Sequence, residues 1–95
     1  MTYRLTRRAW RDVLEIWQYI AQDSEEFADR FVDLLTRYFQ LLGDMPYAGR
    51  KRNELRSGYR SFPVGKYLVF YRVQEPGVLI MHVIHGSRDF QRYSF

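Results

Sequence analysis

Apolar residues recur at steps of three and four along a stretch that begins near Ala9. The apolar positions are Val13, Ile16, Trp17 and Ile20, and the polar residues that fall mostly between them are Arg11, Asp12, Glu15 and Gln18. Such spacing is typical of an amphipathic helix that turns one face toward a core. Thr6 is a suitable N-cap, so we expect a first helix that follows Thr6 and ends near Gln22.

A second stretch with the same period follows a polar break at Asp23 and Ser24. Its apolar positions are Phe27, Phe31, Leu34, Leu35, Tyr38 and Leu42. Glu25 and Glu26 would lie in the first turn, where carboxylates suit the positive end of the helix dipole. Gly43 stands where a left-handed C-terminal cap is expected. The two helices should therefore form an antiparallel hairpin.

Four further segments have the β-branched and aromatic composition of strands. They are Tyr3–Leu5 and the ranges 60–64, 67–73 and 78–85. Sequences with Gly and Pro at 63–66 and 74–77 separate the last three, which predicts a meander of antiparallel strands. Residues 43–59 show no periodicity and are expected to form a loop. The predicted fold class is α+β.

Both faces of the predicted sheet are largely apolar. Alternation in 67–73 puts Tyr67, Val69, Tyr71 and Val73 on one face, and Leu68, Phe70 and Arg72 on the other. In 78–85 it puts Val78, Ile80 and Ile84 on one side, and Leu79, Met81 and Val83 on the other. A sheet with helices on one face usually has a polar second face, so a second layer should pack there. The pattern leaves open whether a partner, the tail or the long loop supplies this layer.

Length and composition narrow the class of protein. The 95 residues are enough for a single domain, 1–95. There is no cysteine and there are two histidines, which excludes disulfides, thiolate nucleophiles and Cys-based metal sites. No apolar run approaches a membrane span, and no apolar segment of a signal peptide follows the N-terminal arginines. We therefore expect a cytoplasmic protein without metal, cofactor or membrane.

Cations and aromatic rings supply the candidate binding chemistry. The formal net charge of +4 and the pI of about 9.6 favour an acidic partner, either a nucleic acid or a protein. The dense basic cluster is Arg50, Lys51 and Arg52, and the tail combines Arg88 and Arg92 with Phe90, Tyr93 and Phe95. Such cations bind carboxylates or phosphates, and such rings anchor interfaces. No glycine-rich phosphate loop, HExxH or GxSxG motif is present.

Short motifs in a fixed order carry a family resemblance. They are Tyr3-Arg4-Leu5-Thr6, Asp12-x-x-x-Ile16-x-x-Tyr19-Ile20, Pro46-x-x-Gly49-Arg50, Leu55-Arg56-x-Gly58-Tyr59-Arg60, Tyr67-Leu68-Val69-Phe70-Tyr71-Arg72-Val73 and Val83-Ile84-His85-Gly86-x-Arg88-Asp89. Together they resemble the RelE/ParE family of toxins of type II toxin–antitoxin systems over essentially the whole chain. The resemblance implies a β-αα-βββ fold, with a helical hairpin packed on a small, twisted, mainly antiparallel sheet.

The resemblance implies two modes of action. RelE-like members are ribosome-dependent ribonucleases, which here would use Arg60, His85, Arg88 and Tyr93. ParE-like members instead poison DNA gyrase by binding it. Leu68 stands where the RelE-like pattern has an arginine, and Phe62 lies near the place of a lysine. Tyr93 is one residue short of the expected terminal tyrosine. Without those cations the electrostatic stabilisation of phosphoryl transfer is lost, so the ParE-like branch is the better match.

The ParE-like match implies a non-enzymatic toxin that inhibits DNA gyrase, serves plasmid stabilisation and is neutralised by a cognate ParD-type antitoxin. Direct sequence-specific binding of nucleic acid is not expected. The residues expected to contact the target are Arg88, Phe90, Arg92, Tyr93, Phe95, Arg50, Lys51 and Arg52. The alternatives are the RelE-like messenger RNA endoribonuclease and an inactive remnant retained as an antitoxin partner.

Overall fold

Two helices pack on a five-stranded sheet in a computed structural model that describes residues 2–93 and 95. The helices are α1 (Arg7–Ala21) and α2 (Glu25–Asp44), and the tail contains a single 3-10 turn at Phe90–Arg92. The strands are β1 (Tyr3–Leu5), β2 (Arg50–Lys51), β3 (Tyr59–Val64), β4 (Tyr67–Gln74) and β5 (Gly77–His85). Their order in the sheet is β1-β5-β4-β3-β2. The predicted α+β class and β-αα-βββ arrangement are confirmed, with β2 added inside the expected loop.

The first helix begins at the predicted N-cap, Thr6, and the second is capped by Ser24 from the predicted polar break. Thr6 Oγ1 accepts the N–H of Ala9 at 3.0 Å, and Ser24 Oγ accepts the N–H of Phe27 at 3.2 Å. Each bond satisfies one N–H group that has no partner within its helix. In the described part of the chain, neither helix is long and apolar enough to cross a membrane.

The end of α2 differs from the prediction. The helix continues through Gly43 to Asp44, and Gly43 is not among the residues with positive φ. A Cβ atom at Gly43 would lie 2.7 Å from the carbonyl oxygen of Thr2. Gly43 is therefore explained by the close approach of Thr2, which precedes β1, to the helix end and not by a left-handed cap.

Strands β3, β4 and β5 form the predicted antiparallel meander. The turn between β3 and β4 contains Gly65, whose φ of 58° lies in the region that favours glycine. Strand β1 lies parallel to β5, with Leu5 opposite Ile80. The chain then leaves the sheet to begin α1, so the edge of β5 beyond Ile80 faces α1.

A β-bulge in β5 reverses the predicted assignment of residues to the two faces of the sheet in the second half of the strand. The register between β4 and β5 shifts after Phe70, which leaves Met81 as the extra residue. Val83 therefore joins the core beneath the helices, and Ile84 lies on the opposite face beside Leu68. The prediction that grouped Ile84 with the helix-facing residues was wrong because strict alternation cannot anticipate a bulge.

The second face of the sheet is covered at its centre by the chain's own tail. Phe70 has an exposed fraction of 0%, and its ring centroid lies 5.3 Å from that of Phe90 and 5.0 Å from that of Phe95. Phe95 also meets Tyr59 edge to face at 5.6 Å. Of the alternatives left open by the sequence, the tail thus supplies the second layer over Phe70.

Candidate functional site

A groove of about 710 Å³ runs between α1 and the end of β5, where β1 no longer covers the strand edge. Ile16, Ile20 and Val83 contribute to its apolar wall. The cations, hydroxyls and imidazole that line it include Arg8, Lys66, Tyr67, His85, Arg88 and Tyr93. The structure therefore brings together three residues of the ribonuclease hypothesis, namely His85, Arg88 and Tyr93.

The hydrogen bonds of His85 fix its role in the groove. The backbone N–H of Ser87 donates to His85 Nδ1 at 3.1 Å, and Ser87 Oγ lies 2.7 Å from the same nitrogen. Since a backbone N–H can only donate, Nδ1 is the acceptor, and a neutral ring carries its proton on Nε2. His85 is thus arranged to donate from Nε2, whereas a general base needs a free acceptor nitrogen.

Tyr67, which packs beside His85, provides a hydroxyl and no base. Tyr67 packs edge to face against His85 at 5.2 Å, and burial raises the pKa of Tyr67, with a smaller contribution from Tyr19, while Arg88 partly opposes the shift. Tyr67 therefore stays protonated at neutral pH. Arg88 Nη1 lies 3.3 Å from the hydroxyl of Tyr93, so these two side chains lie together at the edge of the groove.

Arg60 is separated from the groove and holds the loop after α2. Its guanidinium donates to the carbonyl oxygen of Gly49 at 2.8 Å and lies 5.1 Å from the centre of the Tyr47 ring. Arg60 is opposite Tyr71 and His85 is opposite Tyr67, and these positions on β4 are about 13 Å apart along the strand. The four residues of the ribonuclease hypothesis therefore do not converge on one phosphate.

Asp12 forms a buried anchor that the helical pattern had placed among solvent-facing residues. Its exposed fraction is 6%, and one carboxylate oxygen accepts the N–H of Val83 at 3.0 Å. That oxygen, Oδ2, also lies 3.4 Å from His82 Nδ1. The second carboxylate oxygen, Oδ1, lies 3.2 Å from Arg8 Nε. Asp12 thus satisfies the backbone beside the bulge and ties α1 to β5, and no signal in the local sequence reveals this long-range contact.

The basic cluster and the tail meet on the second face of the sheet. Arg52 is half-buried, donates to Ser61 Oγ at 2.7 Å, and places its guanidinium 5.4 Å from the centre of the Phe90 ring. Arg56 donates to the carbonyl oxygen of Phe95. Arg50 pairs with Ser61 and lies on the same face, whereas Lys51 pairs with Arg60 and lies on the other side of the edge strand; Arg50, Lys51 and Arg92 are all exposed. We call this set of residues the basic–aromatic surface, made of Arg50, Lys51, Arg52, Arg56, Phe90, Arg92 and Phe95.

The predicted target-binding residues therefore divide between two neighbouring places. Arg88 and Tyr93 line the groove, and the other six belong to the basic–aromatic surface. The ring of His82 joins the two, because it meets Tyr93 at 5.9 Å and Phe95 at 5.1 Å. Within residues 2–93 and 95, no three His, Asp or Glu side chains are grouped so that they could hold a metal ion.

A third surface lies on the outer side of the helical hairpin, and the sequence analysis did not anticipate it. Trp10, Leu14, Trp17 and Val32 surround an apolar hollow of about 250 Å³. Trp10 is 68% exposed and Leu14 is 57% exposed. Trp17 Nε1 donates to Asp29 Oδ1 at 2.8 Å, which fixes the ring across the two helices. We call these four residues the hairpin stripe. Its signal was the i, i+4, i+7 spacing of Trp10, Leu14 and Trp17 beside the core face, although the sequence analysis had grouped Trp17 with the core-facing residues.

Comparison with known proteins places this architecture in one class of toxins. The structure is similar to a chain of the chromosomal ParDE toxin–antitoxin system from P. aeruginosa, with a TM-score of 0.74 and 20% sequence identity, over 90% of this chain and 95% of that one. A Caulobacter vibrioides protein, Toxin ParE1, is 38% identical over 92% of this chain and 91% of its own length. Toxin RelE3 of the same organism is 33% identical over 83% of this chain and 87% of its own length.

A sequence model described as "ParE toxin of type II toxin-antitoxin system, parDE" matches residues 3–90. The chain therefore belongs to the ParE toxin family. The predicted membership of the RelE/ParE family and of its ParE-like branch is confirmed.

Proposed function

We propose that this toxin acts in the cytoplasm by binding and inhibiting DNA gyrase, without an enzymatic reaction of its own. The observation that supports this proposal is the apolar packing at the positions where a RelE-like site has cations. Phe62 faces the helices, with its ring 5.5 Å from that of Tyr38, and Leu68 is half-buried opposite Ile84. Arg60 binds the carbonyl oxygen of Gly49. These positions therefore supply no cation to stabilise the negative charge that develops in phosphoryl transfer.

The proposed contact with gyrase is the basic–aromatic surface together with Arg88 and Tyr93. Arg50, Lys51, Arg88 and Arg92 are exposed, so their cationic groups are accessible for charge-assisted hydrogen bonds with an acidic protein surface. Phe90 and Phe95 are half-buried against the sheet, so they support these cations and add apolar area at the edge of the contact. The site is a protein-binding surface in this proposal, and no cofactor takes part.

Purified chain in a gyrase supercoiling assay is the direct test. Inhibition should weaken at least tenfold, about 1.4 kcal/mol, in a variant that carries both Arg50→Glu and Lys51→Glu. Arg37→Glu, an exposed change of the same sign and half the charge on α2, is the control and should inhibit like the wild type. Full inhibition by the double variant would remove the basic cluster from the contact, and no inhibition by the wild type would defeat the proposal.

A ParD-type antitoxin is the proposed neutralising partner. The support comes from the similar P. aeruginosa chain, which is part of a ParDE system, and from the exposed apolar area on the hairpin. An acidic or amphipathic segment that covers the hairpin and the sheet would complement the net charge of +4. Binding to the folded toxin alone should raise its stability by roughly 4 kcal/mol at a thousandfold excess over Kd. An unchanged melting temperature with the cognate antitoxin would contradict this part.

The second candidate function is ribosome-dependent cleavage of messenger RNA. It is favoured by the 33% identity to a protein named Toxin RelE3 and by the groove that holds His85, Arg88 and Tyr93. A cleavage assay with translating ribosomes separates it from gyrase inhibition. Cleavage that is lost in His85→Ala but kept in the Arg50→Glu, Lys51→Glu variant would establish this candidate in place of the first.

A further inference from the structure

Charge is divided unequally between the two layers of the molecule. Residues 7–44, which form the helical hairpin, contain five arginines and eight carboxylates, a net charge of −3. The rest of the chain, which forms the sheet, its loops and the tail, contains ten lysines and arginines and three carboxylates, a net charge of +7. The sheet side is therefore more positive than the overall charge of +4 indicates, and it attracts polyanions.

Two exposed arginines lie in one row across the second face of the sheet. Arg4 is opposite Leu79, and Leu79 is opposite Arg72. Arg72 in turn is opposite Tyr59, whose ring meets Phe95 of the tail. Side chains of directly opposed residues share a face, so Arg4 and Arg72 lie on the face that carries the tail. These two arginines are two strands apart, or about 10 Å.

The charges of this row are not neutralised within the chain. Arg4 Nη2 donates to Gln74 Oε1 at 2.7 Å, and this neutral acceptor holds the guanidinium on the second face without cancelling its charge. In the part of the chain that the structure describes, no carboxylate oxygen lies within 4.0 Å of a guanidinium nitrogen of Arg4 or Arg72. Both side chains are exposed, so both cations are accessible from solvent.

A third exposed arginine extends this row toward the opposite edge of the sheet. Arg50 is opposite Ser61, and Ser61 is opposite Phe70, so Arg50 shares the face of Phe70 and the tail. From β1 to β2 the face spans four strand spacings, or about 19 Å. This span equals about five to six base pairs of duplex DNA, at about 3.4 Å per base pair. We call Arg4, Arg50 and Arg72 the arginine band.

The chemistry of the arginine band suits a phosphate backbone better than the core of a protein interface. Protein interfaces are depleted of charge at their centre, where exposed aromatic and aliphatic groups anchor the partner. The residue between Arg4 and Arg72 is Leu79, which is half-buried and offers little apolar area. Guanidinium groups bind phosphates through two parallel hydrogen bonds. Interfaces with nucleic acids are also much more positively charged than those between proteins.

We propose that the arginine band binds the phosphate backbone of a duplex nucleic acid without sequence specificity. Backbone contacts position a protein on the duplex and carry no sequence information. Neither Arg4 nor Arg72 belongs to the proposed contact with gyrase, so this binding is an activity beyond the proposed function. If each arginine of the band neutralises one phosphate, the logarithm of the association constant falls with the logarithm of salt concentration at a slope of about −2.7.

The test is the fluorescence anisotropy of a labelled DNA duplex of about 20 base pairs, titrated with the purified chain between about 50 and 200 mM salt. We expect a Kd in the micromolar range at the low-salt end, equal for two duplexes of different sequence. The variant with both Arg4→Gln and Arg72→Gln should bind about tenfold more weakly there, or worse, and its salt slope should be smaller by about 2.

The matched control carries Arg7→Gln and Arg37→Gln, which remove the same charge from exposed positions on the helices. This control should keep most of the affinity and the full salt slope. Circular dichroism should show both double variants folded like the wild type, because all four side chains are exposed. An RNA duplex of the same sequence that binds more tightly than DNA would support the same backbone contact and identify RNA as its source.

Three outcomes would overturn the proposal. The first is a wild type that does not bind the duplex at about 100 µM chain and about 50 mM salt. The second is an equal loss of affinity in the two double variants, which would mean that the band has no special role. The third is polyglutamate that competes as well as unlabelled DNA at equal charge, which would assign the band to an acidic protein. Since the assay contains neither gyrase nor ribosomes, its result is independent of the proposed inhibition of gyrase.

Discussion

Phe95→Ala should destabilise the domain, because the ring of Phe95 closes the second layer over the sheet. The ring lies 5.6 Å from Tyr59, 5.0 Å from Phe70 and 5.1 Å from His82. Tyr59 and Phe70 are 3% and 0% exposed. Removal of the Phe95 ring therefore opens two side chains to water in addition to losing its own contacts.

The magnitude follows from burial. A fully buried Phe→Ala change costs about 3–5 kcal/mol, and Phe95 is half-buried, so we expect about 2–3 kcal/mol. A domain of this size loses about 4–8 °C per kcal/mol, which predicts a melting temperature roughly 10–20 °C lower. Phe27, which is 61% exposed on α2, provides the control, since Phe27→Ala should change stability by less than about 0.5 kcal/mol.

Thermal unfolding followed by circular dichroism measures this difference. Equal melting temperatures for Phe95→Ala and the wild type would refute the reasoning, because the tail would then not pack on Phe70 in solution. Removal of residues 90–95 should cost more than the single substitution. Any loss of toxicity in that truncation can be assigned to target binding only at a temperature where circular dichroism shows it to be folded.

Three further substitutions test the internal contacts. Asp12→Ala should lower the free energy of unfolding by about 2–4 kcal/mol, because the buried N–H of Val83 loses its acceptor. Asp12→Asn should lower it by less, and urea denaturation of the two variants measures the difference. Leu68→Ala should cost about 1–2 kcal/mol in the same assay, less than for a fully buried leucine, and no change would mean that Leu68 is not packed. Burial raises the pKa of Tyr71 above that of the unfolded chain, so its contribution to stability is present below pH about 10 and is lost as the pH rises through the folded value. Tyr71→Phe should therefore lose less stability than the wild type between neutral pH and pH about 11, and parallel pH profiles would contradict this.

The helices and the meander could be predicted because their signals are local. The period of the apolar residues, the N-caps Thr6 and Ser24 and the turn at Gly65 all act within a few residues of their position. The site could be predicted only in part. The tail and the basic cluster were chosen by composition, and their contact through Arg52 and Phe90 arises from the pairing of β2 with β3, which no local pattern specifies.

Long-range contacts account for what the sequence did not reveal. Gly43 is the residue type expected at a helix C-cap. It is required instead because Thr2, more than forty residues away along the chain, leaves no room for a Cβ atom. The bulge at Met81 is held by the hydroxyl of Thr6, which donates to the Met81 carbonyl at 3.1 Å, and by Asp12. One extra residue exchanges the faces of everything after it, so a bulge held by residues distant in sequence inverts the prediction for Val83 and Ile84.

The tail has two roles in these proposals, and the structure indicates how to separate them. Phe90 and Phe95 stabilise the fold through Phe70, so their substitution changes stability and target binding together. Arg92, in contrast, is exposed, and within residues 2–93 and 95 its one ion-pair partner is Asp89, three residues before it, at 3.3 Å. Exposed pairs of this kind contribute about 0–1 kcal/mol to stability. A loss of gyrase inhibition in Arg92→Glu at an unchanged melting temperature would therefore report on binding alone, which the aromatic substitutions cannot do.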